Sequence, residues 1–129
     1  MKAFERWNFF VFQYAHEAVH LLEPKAGFVS AFEEGIAVIF SMYIQEKFCS
    51  WIPVFPTESG YLKCEKILMK SCGSRESVLS NAKVLLDRSK GFSKITKNNL
   101  MNVFGSNLSE QEAEFLVQKF DPRKSEIIK

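Results

Sequence analysis

Residues 16–20 read His-Glu-Ala-Val-His, and these are the two histidines of the chain. On a helix, side chains four residues apart stand one turn above each other on the same face. Two imidazoles so placed can reach a single metal ion. Glu17 projects about 100° round the helix from His16. It can therefore sit beside the ion without ligating it and take a proton from a water on the metal. Zinc lowers the pKa of such a water to about 7. The chemistry this spacing suits is metal-assisted hydrolysis, given a third ligand from elsewhere and a fourth position left for water.

The pattern extends past the five letters. Tyr14, Ala15, Ala18, Val19, Leu21 and Leu22 are uncharged, as on a helix buried in its protein, and no proline interrupts the run. Further on stands Phe32-Glu33-Glu34-Gly35-Ile36-Ala37. Together these resemble the zincin metallopeptidases, in particular the gluzincin branch, where a Glu-Gly-apolar-Ala segment supplies the third ligand. Carried over position by position, the resemblance implies that His16, His20 and Glu34 bind Zn2+ and that Glu17 is the general base. Glu33 is the alternative third ligand, or else a carboxylate that orients a histidine from behind. The match covers about residues 9–44. Such peptidases have a β-sheet ahead of the metal helix, whose edge strand pairs with the substrate peptide. Here the fifteen residues before His16 read as part of the helix, so that sheet is expected to be missing or minimal. Tyr14, Tyr43, Tyr61 and Arg75 are the candidates for steadying an oxyanion.

These residues must be positioned by helices. Residues 3–23 form the first predicted helix, ended by Pro24 and Gly27. Residues 28–48 form a second, apolar on most sides and hence central; the competing reading makes Ile36-Ala37-Val38-Ile39-Phe40 a buried strand. The intervening turn makes the two antiparallel neighbours. On the Glu34 side the second helix offers Ser30, Ala31, Ala37, Val38 and Ser41, with Gly35 adjacent, small enough to let the two helices approach closely. A carboxylate in so apolar a segment needs a partner, because an unpaired buried charge is very costly.

Pro53 and Pro56 mark a loop. A third helix is expected from Glu58 or Ser59 to Ser71 with Gly73 as its cap, and a fourth over 75–89 followed by Gly91. A fifth runs from Thr96 to Gly105. A sixth opens on Ser109-Glu110-Gln111-Glu112, a capping-box pattern, and is stopped by Asp121-Pro122. The expected fold is a mainly α single-domain bundle over residues 1–122, built round the two ligand-bearing helices, with 123–129 frayed.

Composition bounds the rest. Of 129 residues, 47% are apolar, including thirteen Phe, which is enough for a real core. The net charge of +2 gives no electrostatic case for nucleic acid. The longest apolar stretch, 35–44, is half of the roughly 20 residues that a membrane span needs. Three cysteines without CxxC spacing, Cys49, Cys64 and Cys72, read as buried thiols in a reducing compartment, and the expected location is cytoplasmic. Phe4, Phe9, Phe10 and Phe12 read as core, with a partner-binding aromatic surface as the alternative. The expected function is a zinc-dependent peptidase acting on a peptide or protein. The competing expectation is a catalytically inactive zincin-like or helical protein-interaction module.

Overall fold

The computed structural model describes residues 3–22, 29–48 and 59–120. Six α-helices follow in order: α1 (Ala3–His20), α2 (Ala31–Phe48), α3 (Ser59–Cys72), α4 (Arg75–Ser89), α5 (Lys97–Phe104) and α6 (Glu110–Val117). The fold is mainly α. Among the described residues there is no strand, only an isolated antiparallel bridge between Ser30 and Lys119. No described helix is long and apolar enough to cross a membrane.

α2 is the axis of the molecule, with α1, α3, α4 and α6 packed against it. Its Ala37, Val38 and Ile39 are wholly buried, so the β-branched run lies in a helix surrounded by other helices rather than in a strand. Ser30 opens α2: its hydroxyl accepts from the Glu33 amide at 3.1 Å and its carbonyl from the Glu34 amide at 3.1 Å. Glu33 and Glu34 then fall in the first turn, where the helix dipole favours negative charge. α1 runs antiparallel to α2, and the pairing is pinned at its far end by a buried amide pair. There Gln45 Nε2 donates to Asn8 Oδ1 at 2.7 Å and to the Asn8 carbonyl at 3.1 Å.

Gly35 has a different use from the expected one. A Cβ built on it would lie 2.7 Å from Leu68 Cδ1 and 3.1 Å from Cys64 Cβ, so it is the approach of α3, not of α1, that needs glycine here. α3 runs alongside α2 in the same sense, and the Arg75 side chain just past its end pairs with Glu46 near the end of α2.

The later helices are punctuated by local chemistry. Gly73 caps α3 at φ +86°, its amide donating to the Met69 carbonyl at 2.7 Å. Ser74 caps the start of α4, whereas the left-handed cap at its end is Lys90, at φ 65°, and not Gly91. Thr96 with Asn99 and Ser109 with Glu112 form reciprocal capping boxes on α5 and α6. α6 ends at Val117, before the expected Asp121-Pro122 stop, because residues 118–120 leave the helix to pair with residues 29–31. The Ala31 amide donates to the Gln118 carbonyl at 2.9 Å and the Phe120 amide to the Val29 carbonyl at 2.8 Å.

The outer face of α1 overturns another expectation. Uncharged residues there are not all buried. Phe12 is in the core, but Trp7, Phe9, Phe10, Tyr14, Leu21 and Leu22 are exposed, Tyr14 by 68%. Of the thiols, Cys64 is buried and Cys72 half-buried. Cys49, the loop prolines Pro53 and Pro56, and the 123–129 tail lie outside the described residues.

Candidate metal centre

The antiparallel α1–α2 pair brings the predicted ligands together. His16 and His20 stack one turn apart on α1, ring centroids 5.0 Å from each other. Across from them, one carboxylate oxygen of Glu34 stands 2.9 Å from His16 Nε2 and 2.9 Å from His20 Nε2. One ligand atom from each of the three residues can be chosen so that all lie within 4.8 Å of one another. Metal–ligand bonds of about 2.0–2.2 Å in a tetrahedral site set donors roughly 3.4 Å apart. The cluster therefore needs only small side-chain adjustments to close on an ion.

The two glutamates divide their roles. Glu34 faces both Nε2 atoms. Glu33, wholly buried, stands behind His20 and accepts from its Nδ1 at 2.7 Å. That is the arrangement in which a carboxylate fixes the tautomer and orientation of a ligating imidazole. His16 is held by packing, its ring flanked by Phe12 at 6.1 Å and by the Tyr61 ring edge-on at 6.1 Å. Tyr61 in turn packs tilted against Phe120, ring centroids 4.6 Å apart.

The electrostatics follow from this crowding. Burial works against charge on His20, but the hydrogen bond to Glu33 and the nearby charge of Glu34 outweigh it, so its pKa lies above the ordinary value. Burial likewise opposes charge on Glu34, and the hydrogen bond and charge of His16, with the charge of His20, reverse that and hold its carboxyl below the ordinary range. Without a metal, carboxylate oxygens stand against both nitrogens of His20, which favours the protonated ring. A divalent cation taking the place of the Nε2 proton leaves the Nδ1–H bond to Glu33 intact. Burial, aided by the charge of Glu34, pushes the Cys64 thiol up to about 12, which keeps it protonated and unavailable as a ligand.

Glu17 is exposed, in the same helical turn as His16 and His20. His20 and Glu34 keep partly open side chains, 19% and 12% accessible, so the cluster is not sealed from water. Of the four oxyanion candidates, Tyr61 is the one whose ring lies against a residue of the cluster, His16. Tyr43 lies under Lys47 near the end of α2, Arg75 is held by Glu46, and Tyr14 stacks outward on Phe10 at 5.0 Å. An apolar groove of about 650 Å³, lined by Val19, Leu22, Phe40, Leu79 and Leu86 among others, opens on another side of α1 and does not include the ligands.

Sequence reasoning did not find Phe120. It reads there as one more apolar position of α6, and nothing local signals that it leaves that helix for the wall behind Tyr61. No family model, curated protein or solved structure matches this chain.

Proposed function

We propose that this protein binds zinc through His16, His20 and Glu34 and hydrolyses a peptide bond with Glu17 as general base. The observation that carries the reading is the convergence of both Nε2 atoms on a single oxygen of Glu34, with Glu33 behind His20. Two imidazoles and one carboxylate form the ligand set of a hydrolytic zinc site, in which three protein ligands leave a position for water. Zinc bound there supplies Lewis acidity that brings water near ionisation at neutral pH and polarises a carbonyl. The chain's own residues do the rest. Glu17 takes the proton of the attacking water and returns it to the leaving amine. Glu33 keeps the His20 ring in orientation, and Tyr61 walls the His16 side.

A second reading is favoured by a separate observation. Trp7, Phe10 and Tyr14 form an exposed ladder on α1, with Trp7 and Phe10 stacked at 6.3 Å and Phe10 and Tyr14 at 5.0 Å. Exposed apolar surface of this kind fits a protein partner. On this reading the chain is a catalytically inactive zincin-like interaction module.

Metal analysis and a peptide-hydrolysis assay separate the two. The hydrolase reading expects about one zinc per chain, lost in the His16→Ala, His20→Ala double variant. It expects Glu17→Gln to keep its zinc while losing hydrolysis by roughly 10²–10⁴-fold. Zinc without hydrolysis in the native chain leaves the interaction module, and no zinc after supplementation sinks the metal site.

A further inference from the structure

We propose that Gln118–Phe120 is a latch on the metal centre, so that closure of this strap and occupancy of the site strengthen each other; the inference rests on the zinc reading above. The strap reaches the site by two separate routes. The first is through the backbone. α2 starts at Ala31, and the first amides of a helix have no acceptor within it. The Gln118 carbonyl accepts from the Ala31 amide at 2.9 Å, and the Phe120 amide donates to the Val29 carbonyl at 2.8 Å. These two bonds clamp Ser30 on both sides. Ser30 is the residue on which the amides of Glu33 and Glu34 are hung, through its hydroxyl and its carbonyl. The strap thereby fixes the turn that aims both carboxylates at the histidines.

The second route is through rings. Phe120 packs tilted against Tyr61, centroids 4.6 Å apart, and Tyr61 meets His16 edge to face at 6.1 Å. One short segment thus bears on the histidine helix by one path and on the carboxylate helix by the other. Among the described residues the strap is tied across to residues 29–31 by two backbone hydrogen bonds, beside the Gln118 amide on the Phe115 carbonyl at 3.2 Å and the packing of Phe120 on the core; a segment at a helix end with few cross-chain bonds opens locally without global unfolding. When the strap opens, Glu34 and His16 each lose a constraint on the geometry an ion requires. Coupling between binding events is reciprocal, so an ion bridging His16 and Glu34 must tighten the strap by the factor that the strap tightens the ion. Capture or cleavage of Gln118–Phe120 would then weaken metal binding, which makes this strap a regulatory element of the site.

The test is zinc affinity by chelator competition for the native chain, Phe120→Ala and a chain ending at Val117. Met101→Ala serves as a control that loosens α5 away from the strap. The latch expects about tenfold weaker zinc binding in Phe120→Ala, a larger loss in the truncated chain, and no change in the control. It also expects the Ala31 and Phe120 amides of the native chain to exchange more slowly once zinc is added. A strap variant that keeps its helical circular dichroism and binds zinc within about twofold of the native chain overturns it, as do exchange rates that zinc does not move. Should the truncated chain not fold, Phe120→Leu, which keeps apolar contact and removes the ring, is read in its place. A native chain that binds no zinc overturns the metal reading itself and the latch with it.

Discussion

On the zinc reading, acid should strip the ion from this centre in a way set by His20 and its two carboxylates. In the metal-free chain His20 is pulled above its ordinary pKa of 6.5, against the effect of burial, by Glu33 on one nitrogen and Glu34 on the other. Zinc can bind only after the Nε2 proton leaves. Below the raised pKa, each unit fall in pH therefore costs about a factor of ten in affinity from His20 alone, which is 1.36 kcal/mol per unit. Above it that contribution vanishes. Replacing Glu33 by Gln removes a force that raises the pKa, so the onset of competition moves to lower pH. The same change weakens the acceptor that holds the ring, and the plateau at high pH should fall by about tenfold. The variant curve therefore starts lower at alkaline pH and closes on the native curve in acid. Chelator competition across about pH 5 to about pH 8 measures both features. Calorimetry in two buffers of different ionisation enthalpy should count the His20 proton among those released per zinc at the acid end. An affinity flat across that range, or a Glu33→Gln profile with an unchanged onset, refutes this account of the site.

Without metal, the same residues give fold stability a pH optimum. The His20 contribution, from a raised pKa, is whole below 6.5 and is lost as pH rises through the folded value. The Glu34 contribution, from a lowered pKa, is whole above 4.5 and is lost as pH falls. Urea midpoints of the metal-free chain should thus peak in mildly acidic buffer, and added zinc should move the peak toward higher pH. Gly35→Ala sets two effects against each other. Helix propensity favours alanine by about 1 kcal/mol, while a methyl 2.7 Å from the buried Leu68 Cδ1 and 3.1 Å from Cys64 Cβ costs roughly 1–3 kcal/mol. The net expectation is a loss near 1 kcal/mol and a melting point several degrees lower; a more stable variant would contradict the packing argument. Ser109→Ala should cost about 1 kcal/mol by opening the α6 capping box, with zinc affinity unchanged as the check that the cap acts on the fold alone.

The helices were readable where their signals are local. α4 runs over Arg75–Ser89 because Ser74 caps one end and the apolar spacing stops at the other. α6 misled because Phe120 keeps helical spacing with Leu116 and Val117; what ends the helix is a pairing with residues 29–31, some ninety positions away in the chain, which no local pattern encodes. The meeting of His16, His20 and Glu34 was legible because its geometry is short-range: two histidines a turn apart, and a carboxylate just beyond the next bend. Between the two carboxylates the resemblance pointed to Glu34 and left Glu33 as the alternative, since adjacent residues differ by only about 100° round a helix and local spacing does not say which faces the histidines. Only the register of α1 on α2 assigns Glu34 to the Nε2 atoms and Glu33 to Nδ1. The exposed aromatics of α1 were misjudged because lack of charge is not burial. Much of any protein surface is apolar, and hydropathy cannot say which side of a helix has a neighbour.

The buried Asn8–Gln45 pair has a consequence for how this protein can change over evolutionary time. Two turns separate Asn8 from His16 and three separate Gln45 from Glu34, all inside unbroken helix. Inserting or deleting one residue between pin and ligand would swing the ligand by about 100° while the pin held the helices in place. These two intervals are therefore closed to length variation. The junctions around Gly73 and Gly105, where the chain reverses on glycines with open space about them, can absorb it. Drift in the length of this protein should collect at such joints and spare the stretches that keep His16 and Glu34 in phase.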